Sequence, residues 1–264
     1  MKKKLGLAAL VAAALSFATP AWAPFHLLVI EQVFFGTDNL PQAQFVVLRT
    51  LTGGQIFVAG RDLNLQNADS SGAGKFGTFT KNYIAHAGPD VAMIAGTQEA
   101  QDLFCLPMDQ IVDGSLVFPD GRVCFSEFDY GDGLGTRPVD CVAYGAYQGD
   151  NEPYLPPAMA PQRNLSLVRV AETDNNQNDF DLLPPMPQNN PGAVGEIDGT
   201  PGDADGSGTV TAEDVDLVAR LAFAVAKRCD VTMPDRRGAD ANIDTRVNAA
   251  DVIATGERAV HQAS

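Results

Sequence analysis

Basic side chains are scarce in this chain: 18 Lys and Arg stand against 33 Asp and Glu, a formal net charge of −15. Such a field repels a polyanion, so nucleic acid is not an expected partner. Long hydrophobic runs are lacking too. The one apolar stretch, 5–17, covers 13 residues, short of the roughly 20 that a spanning helix needs. No transmembrane segment is expected. There is no CxxC pair and no Cys beside a His at metal-ligand spacing, which argues against a zinc site or thioredoxin-like chemistry. Only His26 and His86 precede residue 190, and no G-x-S-x-G elbow occurs, so no hydrolytic triad is expected. The 14 Phe, five Tyr and one Trp offer material for a sugar-stacking face, but Trp22 lies within or beside the N-terminal apolar segment and Phe usually means core, so such a face is the lesser expectation.

What is present is enough for one sizeable core and a smaller module: 264 residues, 45% of them apolar and 19% charged. Lys2, Lys3 and Lys4 precede the apolar run, and small residues follow to Ala23, the pattern of a secretory signal peptide over 1–23. Cleavage after Ala18, Ala21 or Ala23 each remains open. The expected product is secreted or held at the cell surface, with the periplasm as a third destination. Four cysteines, Cys105, Cys124, Cys141 and Cys229, then meet an oxidising compartment, and three full pairings are open to them. Complete intramolecular pairing requires Cys229 to bridge to the larger domain.

From 24 to 183 the apolar residues fall in short blocks separated by Gly, Pro, Asp and Asn, with no sustained helical period. Strands are expected at 25–35, 43–51, 55–58, 91–95, 122–125, 140–144 and 165–170, with one helical turn near 98–104. Seven short strands at this spacing fit a mainly β, immunoglobulin-like sandwich. Residues 184–202, rich in Pro, Asn and Gly, read as a linker.

The remainder, 203–264, has a different chemistry. Asp203, Asp205, Ser207, Thr209, Thr211 and Asp214 occupy positions 1, 3, 5, 7, 9 and 12 of a loop with Gly208 at position 6. This is calcium-loop spacing: a hard cation takes six to eight oxygens, supplied by alternate side chains and the position-7 carbonyl, while Val210 points into the core. The pattern returns 37 residues later as Asp240, Asn242, Asp244, Arg246, Asn248 and Asp251, with Arg246 contributing its carbonyl and Val247 in the place of Val210. Two calcium ions are therefore expected. An amphipathic helix should leave each loop, one burying Val215, Val218, Leu221, Ala222 and Val225, the other Val252, Ile253, Gly256 and Val260. Gly199 to Gly202 and Pro234 to Gly238 precede the loops, so neither has the entering helix of an ordinary EF-hand.

A duplicated unit of acidic loop and exiting helix, with Asp at position 12, resembles the type I dockerin domain over about 198–264. The resemblance implies a small α-helical, calcium-folded module that docks onto a cohesin-like or other surface protein, often in polysaccharide-degrading assemblies. Thr245 stands where the turn favours Gly, which predicts a weaker second site. The recognition pair that the family carries at positions 10 and 11 is Ala212-Glu213 and Ala249-Ala250 here.

The larger domain, in Phe25 to Phe35, Gln44 to Arg49, Val139 to Gly145, Leu165 to Arg169 and Asn178 to Phe180, resembles bacterial secreted relatives of the lamin-tail domain. That resemblance implies an immunoglobulin-like sandwich without catalytic residues, an accessory domain on exported proteins. The expectation is a non-catalytic exported protein. The alternative is a dockerin-borne glycoside hydrolase or carbohydrate-binding component, with Glu127, Asp129 and Asp132 as candidate carboxylates.

Overall fold

The computed structural model describes residues 27–83, 86–129, 136–150, 156–195, 200–205, 207–223, 229 and 238–262. The expected leader, His26, Asp132 and Val225 lie outside them. Among the described residues ten strands form two sheets. In chain order they are β1 (Leu28–Phe34), β2 (Phe45–Thr50), β3 (Arg61–Asn67), β4 (Gly72–Phe79), β5 (Ala92–Gly96), β6 (Gln110–Ile111), β7 (Gly121–Asp129), β8 (Thr136–Tyr144), β9 (Ser166–Arg169) and β10 (Phe180–Leu183). One sheet runs β10-β9-β1-β2-β5-β6 and the other β4-β3-β7-β8.

Both sheets send side chains into one core. Ile30, Val33, Val46, Leu48 and Met93 from the larger sheet meet Leu63, Phe76, Phe79, Val123, Phe125 and Val142 from the smaller. The arrangement is compatible with a β-sandwich: apolar side chains alternate toward the partner sheet. The larger sheet is covered on its other face as well. Helix α1 (Gln98–Phe104) lays Ala100, Leu103 and Phe104 over Phe34, Phe45, Val47, Ala92 and Ile94. Burial on both faces explains why β1 and β2 are apolar at nearly every position instead of alternating. Thr97 caps α1 by accepting from the Ala100 amide, and Cys105 closes it in a left-handed conformation at φ 49°.

Sheet-to-sheet registration depends on one buried charge group. The chain of β1 bulges between Ile30 and Gln32. Asp140 of β8 reaches this point from the opposite sheet, accepting from the Ile30 amide at 2.6 Å and from Arg169 Nη2 at 2.7 Å. Arg169 Nε donates to the Ile30 carbonyl at 2.9 Å, and its guanidinium stacks 4.6 Å over Phe180. Both ions are almost wholly buried, so each needs the other and the bulge's backbone groups to be tolerated.

Several strands were not expected. The 55–58 segment is a buried connection rather than a strand, with Ile56 and Val58 in the core. β3, β4, β6 and β10 had no place in the sequence reading. β4 is too glycine-rich to show a pattern, and at Gly77 the reason is steric: a Cβ there would stand 2.1 Å from Val112 Cγ1. The turn at 98–104 forms α1 as expected.

Residues 184–195 lie against the sandwich, where Asn189 Nδ2 donates to the Pro107 carbonyl at 3.1 Å and the Asn190 amide to Asp109 Oδ2 at 2.7 Å. Two disulfides are formed, Cys124–Cys141 between paired positions of β7 and β8, and Cys105–Cys229. No described helix is long and apolar enough to cross a membrane.

Among the described residues after 200, the regular elements are helices. In chain order after α1, α2 (Asn176–Asp179) is a single turn, and α3 (Ala212–Phe223) and α4 (Ala249–Gln262) pack against each other. Their small core is Ala204, Val218, Ala239 and Val247, with Leu217, Leu221 and Val252 against it. The face expected of the second helix is only partly inward: Val252 packs, but Ile253 and Val260 are 64% and 70% exposed. Asp251 and Thr255, one turn apart and both buried, set the rotation of α4 instead.

Candidate functional site

The two acidic loops have the same local construction, built from backbone amides. In the first, Asp203 Oδ1 accepts from the Ser207 amide at 3.0 Å and its Oδ2 from the Gly208 amide at 2.8 Å. In the second, Asp240 Oδ1 accepts from Asp244 at 3.0 Å and its Oδ2 from Thr245 at 3.0 Å. At position 12, Asp214 accepts from the amides of Asp205 and Thr211 at 3.0 and 2.7 Å, and Asp251 from those of Asn242 and Asn248 at 3.1 and 2.7 Å. Each position-12 carboxylate is also the third residue of a helix and accepts from the amide of the residue just before that helix, one half of a capping box at the start of α3 and α4. The position-9 side chain of the second loop completes that cap, Asn248 Oδ1 accepting from the Ala250 amide at 2.8 Å. Aspartate at an N-terminus also meets the favourable end of the helix dipole.

These bonds gather the carboxylates. Asp203, Asp205 and Asp214 bring one oxygen each within 4.8 Å of one another, and Asp240, Asp244 and Asp251 do the same. Val210 and Val247, at position 8 of each loop, are buried as the spacing requires. The position-7 residues, Thr209 and Arg246, follow the turn, and the Thr209 carbonyl accepts from Ser207 Oγ at 3.1 Å. Thr211 Oγ1 donates to Asp214 Oδ2 at 3.1 Å. Gly208 and Thr245 share the left-handed conformation at position 6, φ 87° and 74°. Only the glycine adopts it without steric cost.

The donor set suits a hard cation. It offers carboxylates, an amide and carbonyls and no soft ligand. One atom in particular lacks a partner: Asn242 Oδ1, at position 3 of the second loop, is buried and accepts no hydrogen bond. A buried acceptor left unpaired costs free energy, and a cation among Asp240, Asp244 and Asp251 would satisfy it. Burial holds the Asp251 carboxyl above the usual carboxylate range, with the Asp244 charge adding to the effect against the amides of Asn248 and Asn242. Hydrogen bonds from Ser207 hold the exposed Asp205 below it.

Of the alternative carboxylates, Glu127 has an exposed side chain. Glu127 lines a polar groove with Gly60, Arg61, Asp62, Asn64 and Ser126 on the smaller sheet. Asp132 lies outside the described residues. His86 is exposed, and its carbonyl accepts from Asn190 Nδ2 at 3.4 Å.

Sequence reasoning passed over the surroundings of the second loop. Asn39 Nδ2 donates to the Asn242 carbonyl at 2.6 Å, Ile243 packs on the α1 side of the larger sheet, and Cys229 is tied to Cys105. Only the even cysteine count hinted at any of this. No family model, no curated protein and no solved structure matches the chain.

Proposed function

We propose that this is an exported, non-catalytic calcium-binding protein, a lamin-tail-like, immunoglobulin-like sandwich carrying a dockerin-like module that docks onto a cohesin-like or other surface partner. The observation that carries the reading is the repeated loop: the same four amide-to-carboxylate hydrogen bonds recur 37 residues apart, each set converging three carboxylates. Three carboxylates in so small a space repel one another, and one divalent ion per loop removes the conflict. Asp203, Asp205, Ser207, Thr209, Thr211 and Asp214 hold the first ion. Asp240, Asn242, Asp244, Arg246 through its carbonyl, Asn248 and Asp251 hold the second. The leader over 1–23 carries the chain out of the cytoplasm, to the surface, the medium or the periplasm.

The docking face is assigned to the exposed side of the two helices. Ile253 and Val260 stand out of α4, and Ala219, Ala222, Ala249, Val252 and Ile253 line an apolar recess between α3 and α4. An apolar patch rimmed by charge is the usual anatomy of a protein-binding surface. The test is circular dichroism of the mature chain with and without a chelator. Chelation is expected to remove most helical signal while the β signal stays, and an unchanged spectrum would contradict the reading.

The polar groove around Glu127 supports a second reading, a polysaccharide-acting or polysaccharide-binding component carried by the same module. It requires activity or binding on a glycan panel that Glu127→Ala abolishes. Inactivity and absence of binding across the panel remove it.

A further inference from the structure

We propose that the sandwich preorganises the second acidic loop, so that cation occupancy of that loop alone is coupled to the sandwich through Asn39, Ile243 and the Cys105–Cys229 disulfide. The proposal rests on the calcium reading above and adds an asymmetry that the duplicated sequence does not suggest.

The second loop is the poorer of the two by its own backbone. Its positions 4 and 6 are Ile243 and Thr245, where the first loop has Gly206 and Gly208. Both Ile243 and Thr245 are left-handed, φ 57° and 74°. Two β-branched residues in that region within three positions are strained and persist only if their surroundings hold them.

The surroundings that hold them belong to the sandwich. Ile243 packs against the cluster of Phe34, Phe45, Ile94, Leu103 and their neighbours, where Leu40 also packs. Asn39, next to Leu40 in the connection between β1 and β2, donates to the Asn242 carbonyl. The amide of that same Asn242 is held by Asp251, and its Oδ1 is the unpartnered acceptor. Thus one residue touches the sandwich with its carbonyl, the position-12 ligand with its amide and the candidate ion with its side chain. The third tie is covalent. Cys105, the C-cap of α1, is bonded to Cys229, and Cys229 shares a crevice with Asp102 of α1 and with Thr245 and Arg246 of the loop. The hydrogen bonds described for the first loop run within it and to Gln262 of α4. Nothing from the sandwich is among them.

The coupling has two directions, because linkage between sites is reciprocal. The sandwich reduces the conformational cost of ordering the second loop, which raises its cation affinity. A cation there in turn stabilises the sandwich, whereas one in the first loop stabilises only α3 and α4. The module is accordingly presented to a partner in one orientation, not on a free tether.

The experiment uses the full mature chain in two backgrounds titrated with calcium alone: Asp205→Ala, which leaves the second loop, and Asp244→Ala, which leaves the first. Asn39→Ala is expected to lower affinity about fivefold in the Asp205→Ala background, the effect of one neutral hydrogen bond. The Cys105→Ser/Cys229→Ser pair is expected to lower it by about tenfold or more. Neither change should shift the Asp244→Ala background more than about twofold. Asn39 is exposed, so its variant keeps the test sound if the disulfide variant folds poorly. Unchanged affinity of the second loop, or equal losses in both backgrounds, would overturn the coupling while leaving calcium binding intact. Absence of binding in both parental backgrounds would overturn the calcium reading and the coupling together.

Discussion

Removing the three carboxylates of the first loop one at a time should give an order of stability, without calcium, that differs from their order as ligands. Asp214 is fully buried and accepts from three backbone amides, those of Ala204, Asp205 and Thr211, at 2.8, 3.0 and 2.7 Å. A hydrogen bond to a charged group contributes about 1.5 kcal/mol at the low end, so Asp214→Ala removes about 4.5 kcal/mol. It also leaves three amides without their acceptor, one just before α3 and two at the beginning of the loop. A module of some 60 residues has little more than that to lose, so the variant should have no folded helical pair in chelator. Asp203 accepts from two amides, Ser207 and Gly208, and its replacement by Ala should cost about 3 kcal/mol. Asp205 is exposed and accepts from Ser207, so Asp205→Ala should leave chelated stability unchanged. On the calcium reading Asp205 is a ligand alongside the other two, and its loss should remove most of the first loop's calcium affinity. The assay is urea unfolding followed by far-ultraviolet circular dichroism, once in chelator and once in excess calcium. Equal chelated midpoints for Asp214→Ala and Asp205→Ala would refute the claim that the amide bonds hold the loop. An Asp205→Ala chain that still binds two ions with parental affinity would refute its role as a ligand.

Other consequences concern the sandwich. Phe104 lies within 5.4 Å of Phe34 and of Phe45, edge-on to both, so Phe104→Ala should cost about 3 to 5 kcal/mol in chemical unfolding. A cost below about 1 kcal/mol would mean that α1 is not part of the core. Breaking the Cys124–Cys141 link, 17 residues apart in sequence, with a Ser pair should cost about 3 kcal/mol through the unfolded chain's regained freedom, again read from unfolding midpoints. Burial pushes Asp140 up to about 7, with Arg169 and the Ile30 amide pulling the other way, whereas in the unfolded chain it titrates near 3.8. A carboxyl raised on folding contributes stability that is complete below the unfolded value and is lost as pH rises through the folded one. Chelated protein should therefore lose up to about 4 kcal/mol between pH 4 and pH 8, and Asp140→Asn should flatten that slope. Parallel pH profiles for the two proteins would count against it.

The parts of the fold that could be read from sequence are those whose signal is local. β1, β2 and β8 are dense apolar blocks, and the acidic loops repeat a fixed spacing whose positions 1 and 12 accept from the loop's own amides. β3 was readable in principle, since Leu63 and Leu65 alternate with Asp62, Asn64 and Gln66, but its low apolar content hid it. β4 was not readable, because its glycines break the apolar alternation and one of them, Gly77, answers to Val112, which is distant in sequence. The same holds for the tie between Cys105 and Cys229 and for the lodging of Ile243, which depend on how the chain returns on itself. Position 4 of a loop carries no ligand, so nothing in the spacing distinguishes Ile243 from a solvated residue. The rotation of α4 was misread for a related reason: its apolar residues suggested one face, and two buried polar groups, Asp251 and Thr255, chose another.

The central claim is that each duplicated loop holds one calcium ion. Calorimetric titration of the chelator-treated mature chain tests it most directly. Two ions per chain, with the second loop's share lost in Asp251→Ala, is the predicted result. A flat titration would reduce the loops to hydrogen-bonded turns and contradict the account.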